Sequence, residues 1–230
     1  MIEFMSRLHT DREYEKELAA LRERVLLMGS RVEEMVHDAM QAFATRDAGL
    51  ARSTSTIDAQ IDRLEVDIDE RCLRLLARRQ PVAGDLRFIT TALKLVTYLD
   101  RIGDLASNIC ERTIELCGHP PLDVETDLPE MAHVTSGMLR DCLDAFVTKD
   151  VAKAQRVMER DSLVDAAYAQ TFPALSAQMT SDPDNAQRLL SVARYLERIA
   201  DHTTNIAEMV VFMVAGTDVR HNQQVATGTA

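Results

Sequence analysis

Tyr98-Leu99-Asp100-Arg101-Ile102-Gly103-Asp104 returns 97 positions later as Tyr195-Leu196-Glu197-Arg198-Ile199-Ala200-Asp201, and the fold follows from that recurrence. Shared Leu and Ile mean little, because every core-facing helix repeats them. Agreement at Tyr, Arg and the carboxylates is not explained by core periodicity and marks an internal duplication. Downstream, Asn108-Ile109 and Glu111 fall on Asn205-Ile206 and Glu208 at the same offset. Upstream the offset is 103: Met35 falls on Met138, Asp38 on Asp141, Ala42-Phe43 on Ala145-Phe146, Thr45-Arg46-Asp47 on Thr148-Lys149-Asp150, Asp58 on Asp161 and Asp62 on Asp165. The second copy is therefore six residues shorter than the first, between Asp165 and Tyr195.

Each copy reads as three helices. Apolar residues at helical spacing run over about Glu15–Arg46, Ala48–Arg79 and Gly84–Cys117, then over about Glu130–Thr148, Asp150–Met179 and Asp184–Ala215. Arg78-Arg79-Gln80-Pro81 is a helix stop, cations in a last turn followed by proline. Gly118-His119-Pro120-Pro121 breaks the chain between the copies. The expected organisation is a first three-helix bundle over 15–118, a linker over 119–129, a second bundle over 130–216 and a flexible tail over 217–230. Composition agrees: Gly (8), Pro (6) and aromatics (4%) are scarce, Trp is absent, and 46% of the 230 residues are apolar, enough for a sizeable core. The fold class is all-α, two tandem antiparallel three-helix bundles.

The formal net charge of −11 argues against a nucleic-acid surface, which needs clustered Lys and Arg. Met1–Leu18 has no continuous apolar stretch and reads as neither signal peptide nor presequence. Met209–Ala215, the longest apolar run near the C-terminus, is far short of the roughly 20 residues that span a bilayer. A cytoplasmic protein is expected. Cys72, Cys110, Cys117 and Cys142 form no C-x-x-C pair and read as reduced core residues. Met28, Met35, Met40, Met138, Met158 and Met209 also sit at core spacing.

The acidic residues carry the chemistry. Asp100, Asp104, Asn108 and Glu111 share one stripe of the third helix, and Glu197, Asp201, Asn205 and Glu208 repeat it on the sixth. On the second helix Asp58, Asp62, Glu65 and Asp69 form another stripe, of which the fifth keeps Asp161 and Asp165. Antiparallel neighbours around a turn have level residues whose numbers sum to a constant. Asp62 with Asp100 and Asp58 with Asp104 both give 162, centred on Pro81; Asp165 with Glu197 and Asp161 with Asp201 both give 362, centred on Ser181. Glu65 and Asp69 would face Thr97 and Leu93, which makes them weaker candidates.

Each bundle can thus gather four carboxylates and an Asn amide, an all-oxygen set. Clustered anions either raise their pKa values or bind cations, and oxygen donors suit hard ions such as magnesium, manganese or iron, with bridging carboxylates allowing more than one ion. The bland alternative is a pair of solvated faces with Arg101 and Arg198 as ion-pair partners. His202 beside Asp201 reads as a packed or exposed residue, since its counterpart is Leu105. Arg71, Arg74, Arg78, Arg79 and Arg87 surround one turn; they complement helix ends or dock an acidic partner.

The run Arg78-Arg79-Gln80-Pro81-Val82-Ala83-Gly84-Asp85-Leu86-Arg87, followed by the doubled Asp/Glu-Arg-Ile-x-Asp motif, closely resembles the PhoU family of phosphate-uptake regulators over about Leu18–Ala215. The resemblance implies two three-helix bundles, paired acidic motifs holding iron or zinc, with manganese or magnesium as further ions in multinuclear clusters, a homodimer, and no catalysis. It implies negative regulation of the phosphate-starvation response, coupling the ATPase subunit of a phosphate ABC transporter to a membrane sensor histidine kinase, with recruitment to the inner membrane face through those partners. Carried over by position, the ligands are Asp58, Asp62, Asp100, Asp104, Asp161, Asp165, Glu197 and Asp201, with Asn108 and Asn205 as additions. Asp100 stands where the family has Glu, and Ala200 where it has Gly.

Two rivals have other signatures. A ferritin-like di-iron protein needs two Glu-x-x-His motifs; Glu34/His37 and Glu130/His133 match, at inequivalent places in the repeat. A metal-free helical scaffold would use its acidic faces to bind a basic partner.

Overall fold

The computed structural model describes residues 2–219, with side chains from residue 12 onward. The described residues form helices and no strand: α1 (Ile2–Thr45), α2 (Ala48–Ser55), α3 (Asp58–Arg78), α4 (Ala83–Cys117), α5 (Leu128–Thr148), α6 (Val151–Ala177), a 3₁₀ turn (Gln178–Thr180) and α7 (Pro183–Ala215). With α2 and α3 as one interrupted rod, these are the six expected long helices. α1 packs on α2, α3 and α4; α5 packs on α6 and α7. The fold is two tandem antiparallel three-helix bundles.

The repeated Thr-Arg/Lys-Asp motif is the corner between first and second helices. Thr45 and Thr148 each donate a hydroxyl to the carbonyl four residues back, 2.8 Å from Gln41 and Asp144 oxygens. Arg46 and Lys149 take left-handed conformations, φ 52° and 56°. The amides of Asp47 and Asp150 then reach back to Ala42 and Ala145 carbonyls at 2.9 and 3.1 Å, which satisfies acceptors the helix end leaves open. Each Asp caps the next helix: Asp47 accepts from Gly49 and Leu50 amides, Asp150 from Lys153.

Four boundaries differ from the sequence reading. α1 begins at Ile2, not near Glu15. Its stretch from Glu13 to Glu17 lies along the end of the first bundle, where Tyr14 Oη donates to Asp85 Oδ2 (3.1 Å) and Arg79 meets Glu13 and Glu17. The second rod breaks at Thr56–Ile57 because Ser53, Thr54, Ser55 and Thr56 all turn their hydroxyls onto preceding carbonyls, at 2.7 to 3.0 Å, and local side-chain bonds of this kind bend helices. Thr56 and Ile57 amides drop to three-residue bonds with Ser53 and Thr54. α5 starts at Leu128 with Pro129 in its first turn, where the missing N–H costs nothing. α6 ends at Ala177, before the 3₁₀ turn.

The linker is not loose. Asn185 Nδ2 donates to Pro120 O (3.3 Å), Asp127 N donates to Thr171 Oγ1 (3.2 Å), and Leu122 and Val124 pack on the core. It lies along the second bundle's end as α1 does along the first. Between the bundles α4 lies against α7 and α1 against α5. Tyr98 packs against His202 with ring centroids 5.6 Å apart and planes tilted by 45°, and Arg87 Nε donates to Met213 O. One continuous core, from Leu18 to Met213, therefore runs through both bundles. Cys72, Cys110 and Cys142 are buried, Cys117 is half-buried, and all four are free thiols. The segment expected as a tail lies beyond residue 219 for its greater part, outside the described residues.

Candidate metal centre

Two acidic grooves form where the register argument places them. α3 brings Asp58 and Asp62 against Asp100 and Asp104 of α4, and α6 brings Asp161 and Asp165 against Glu197 and Asp201 of α7. In all four i, i+4 pairs the first carboxylate is half-buried and the second exposed. Each groove thus has two carboxylates in its floor and two on its rim.

The charges act on one another. Burial raises Asp58, and Asp62 and Asp104 add to it. Burial pushes Asp100 up to about 6, with Glu65, Asp104, Asp62 and Asp58 contributing in that order. In the second groove burial pushes Asp161 up to about 6, with Asp165, Asp201 and Glu197 adding to it and Thr204 opposing. Glu197 and Asp201 are raised in the same way, burial first, against the pull of Arg198. An acid raised this way is one whose charge lacks a counter-ion.

Close approach of the two helices is built in. A Cβ on Gly103 would stand 3.1 Å from Ile61 Cδ1 and 3.6 Å from Asp58 Oδ1. At the matching place the second bundle has Ala200 and Val164. The extra methyl on one helix is met by a missing methylene on the other, which explains why Ala is tolerated at position 200.

Glu65 belongs to the first groove, although its level in the register had set it aside. Helical side chains lean toward their own N-terminus, which carries the long Glu65 carboxylate from the level of Thr97 toward Asp62 and Asp100. It is the strongest charge acting on Asp100, and burial raises its own pKa, with Asp69, Asp62 and Asp104 adding to it. Asp69, a turn further, has a buried Oδ1 without a hydrogen-bond partner. The residues at the corresponding places in the second bundle are Tyr168 and Phe172, packed on each other at 6.1 Å. The first groove is thus the more acidic.

The nearby cations act on the carboxylates only from a distance: Arg194 and Arg198 oppose the rise of Glu197, and Arg198 that of Asp201. Among the described residues neither Arg101 nor Arg198 makes an ion pair. Arg101 sits over the Tyr98 ring at 5.9 Å. Arg160, next to Asp161, is drawn aside by Asp141 Oδ2 (2.8 Å) and Val134 O (3.3 Å), in space left by Gly137, whose Cβ would lie 2.7 Å from Nη2. His202 packs on Tyr98; burial lowers it to about 4, helped by Arg101 and Arg198. Asn205 donates Nδ2 to Asp201 O (2.9 Å), leaving its amide oxygen as a donor atom for a ligand, and Asn108 is half-buried a turn beyond Asp104. Glu34, His37, Glu130 and His133 are exposed on outer faces, not gathered in a bundle interior as a ferritin-like centre requires.

Among the described residues no three His, Cys, Asp or Glu side chains are drawn together tightly enough to hold a metal ion as they stand. The donor set nevertheless fits a hard cation: oxygen atoms only, Asp100 and Asp161 pushed up to about 6 by burial, and a buried Asp161 Oδ1 whose neighbour Thr204 Oγ1 stands outside hydrogen-bond geometry.

The family model for the PhoU domain matches residues 25–113 and 128–210. These segments begin 103 residues apart and end 97 apart, the offsets of the internal repeat. The phosphate-specific transport system accessory protein PhoU homolog of Pseudomonas putida is 42% identical over 218 residues, spanning 93% of this chain and 85% of the relative. The accessory protein PhoU of Escherichia coli K12 is 36% identical, spanning 93% and 90%. The crystal structure of PhoU from Pseudomonas aeruginosa superposes with a TM-score of 0.85 at 39% identity, covering 89% of this chain and all of that one. The phosphate transport system regulatory protein PhoU from Streptococcus pneumoniae gives 0.82 at 28% identity, covering 90% and 99%.

Proposed function

This chain belongs to the PhoU family, and from that premise we propose that it is a non-catalytic accessory protein of a phosphate transport system whose two acidic grooves bind metal ions. The observation that carries the metal reading is the pair of carboxylate sets facing each other in register, with no ion-pair partner among the described residues and with Asp100 and Asp161 pushed up to about 6 by burial. Asp58, Asp62, Glu65, Asp100 and Asp104 would hold ions in the first groove, and Asp161, Asp165, Glu197 and Asp201 in the second. A bound cation supplies counter-charge and ties α3 to α4, or α6 to α7. Iron or zinc is the first expectation and manganese or magnesium the second. The extra Glu65 and Asp69 give the first groove the larger share.

Membership of the family supports the regulatory reading. The protein represses the phosphate-starvation response by linking the transporter's ATPase subunit to a sensor histidine kinase, and works as a homodimer. No described helix is long and apolar enough to cross a membrane, in keeping with attachment through partners from the cytoplasmic side. The test is co-purification with ATPase and kinase from cells grown with and without phosphate, using wild type and Asp104→Ala/Asp201→Ala. Binding that depends on phosphate supply and is altered by the double variant supports the reading; no association under either condition refutes it. Stability unchanged by chelation would favour the metal-free scaffold instead.

A further inference from the structure

The arginines around the α3–α4 turn are not explained by the grooves. Arg71 pairs with Asp67 (2.9 Å), Arg79 with Glu13 and Glu17 (3.3 and 3.7 Å), and Arg87 caps the end of α7 through Met213 O. Helix-end and ion-pair duty thus covers three of the five. Arg74 and Arg78, one turn apart on the exposed side of α3, pair with no carboxylate among the described residues. Beside them Val82 is 74% exposed, Leu73 60% and Leu86 41%. Ala83 has φ 44°, a left-handed conformation that an L-residue with a Cβ adopts at a cost. A Cβ on neighbouring Gly84 would meet nothing within 4 Å. The turn therefore presents exposed aliphatic side chains close along the chain to two arginines that pair with no carboxylate among the described residues, on the side away from Tyr14 and Glu13. The corresponding turn of the second bundle carries Asp182 and Asp184 and no Arg or Lys from 178 to 187.

We propose that the α3–α4 turn is a membrane-surface contact. It lays Val82, Leu73 and Leu86 into the interfacial zone of an anionic bilayer while Arg74 and Arg78 meet the lipid phosphates. The composition favours lipid over an acidic protein. Protein hot spots favour Trp, Tyr and Arg and under-represent Leu and Val, whereas the apolar side chains exposed here are Leu and Val without an aromatic anchor, beside arginines whose stems can lie along the apolar surface. The chain's net charge of −11 does not oppose it. Of the groove carboxylates on α4 the first, Asp100, stands about 27 Å from Val82, more than three Debye lengths of about 8 Å at physiological salt, and the acids nearer the turn are engaged, Asp85 by Tyr14 and Arg22, Glu13 and Glu17 by Arg79. Glu70 is the exposed carboxylate closest along α3, one turn before Arg74, so the contact is weak and serves to orient a protein already near the membrane.

The test is flotation of the full chain with vesicles of equal parts phosphatidylglycerol and phosphatidylcholine, and with pure phosphatidylcholine. Wild type should float with the anionic vesicles, less at high salt, and not with the neutral ones. Arg74→Gln and Arg78→Gln should each weaken binding about fivefold, and Val82→Asp should abolish it. All three positions are exposed, so circular dichroism and melting should stay as in wild type. Binding undiminished in the three variants, or equal on both vesicle types, overturns the proposal. So does a wild type that floats with neither, which would leave the turn to a protein partner. None of these outcomes depends on metal content.

Discussion

At the residue scale, the approach of α3 to α4 rests on Gly103 and Ile61. Gly103→Ala gains about 1 kcal/mol of helix propensity but overpacks against Ile61 Cδ1, at a cost of about 1–3 kcal/mol. The expected net is a loss of about 1 kcal/mol in urea melts. In an Ile61→Val background, which restores the Ala200/Val164 pairing of the second bundle, the same change should be neutral or stabilising. A double-mutant cycle with no coupling would show that the two side chains do not set the helix spacing. Charge makes a second prediction. Asp100 and Asp161, pushed up to about 6 from 3.8, bind protons in the metal-free fold more tightly than in the unfolded chain. Their ionisation therefore destabilises the fold above that range, and the penalty fades as pH falls. In chelator, Asp100→Asn/Asp161→Asn should melt above wild type near about pH 7, and the gap should narrow as pH falls through about 6 and close only below the unfolded value of 3.8. His202, lowered to about 4, pulls the other way below its unfolded value, but it is present in both proteins and cancels. A gap that widens on acidification would contradict the account. Asp58, Asp62, Asp100 and Asp104 were legible in the sequence because i, i+4 spacing and antiparallel register are properties of backbones. Glu65 was not, because its place depends on side-chain reach, which level-matching ignores.

At the element scale, the repeat motifs translate into parts. Thr45-Arg46-Asp47 and Thr148-Lys149-Asp150 were visible as matches, and they are one helix corner built twice. The interruption at Thr56–Ile57 was hidden, since apolar spacing continues across it and only four successive hydroxyls divert the backbone. Its place matters: Asp58, a floor carboxylate of the first groove, opens α3. The second bundle has no such break, α6 being continuous through Asp161. Amides of residues 55–58 should exchange with deuterium faster than those around Glu159–Ser162, and metal addition should slow them. Equal protection at both places, unchanged by metal, would show that the break is not a weak point.

At the scale of the whole molecule, duplication predicted two bundles but not their fusion. Periodicity tells which face of a helix is buried and cannot tell what covers it; α4 and α7 cover one another, and a single core results. Unfolding should be one cooperative transition, with calorimetric and van't Hoff enthalpies in agreement; two resolved transitions would mean that the bundles are independent. The grooves lie at matching places on the two halves, and the proposed function turns on them. The most direct test is metal content by mass spectrometry of protein purified without chelators, for wild type, Asp104→Ala and Asp201→Ala. Ions in wild type, with each substitution removing one groove's share and Asp104→Ala the larger, is the result predicted. Metal content unaffected by both substitutions, or no metal in wild type after loading, would contradict it.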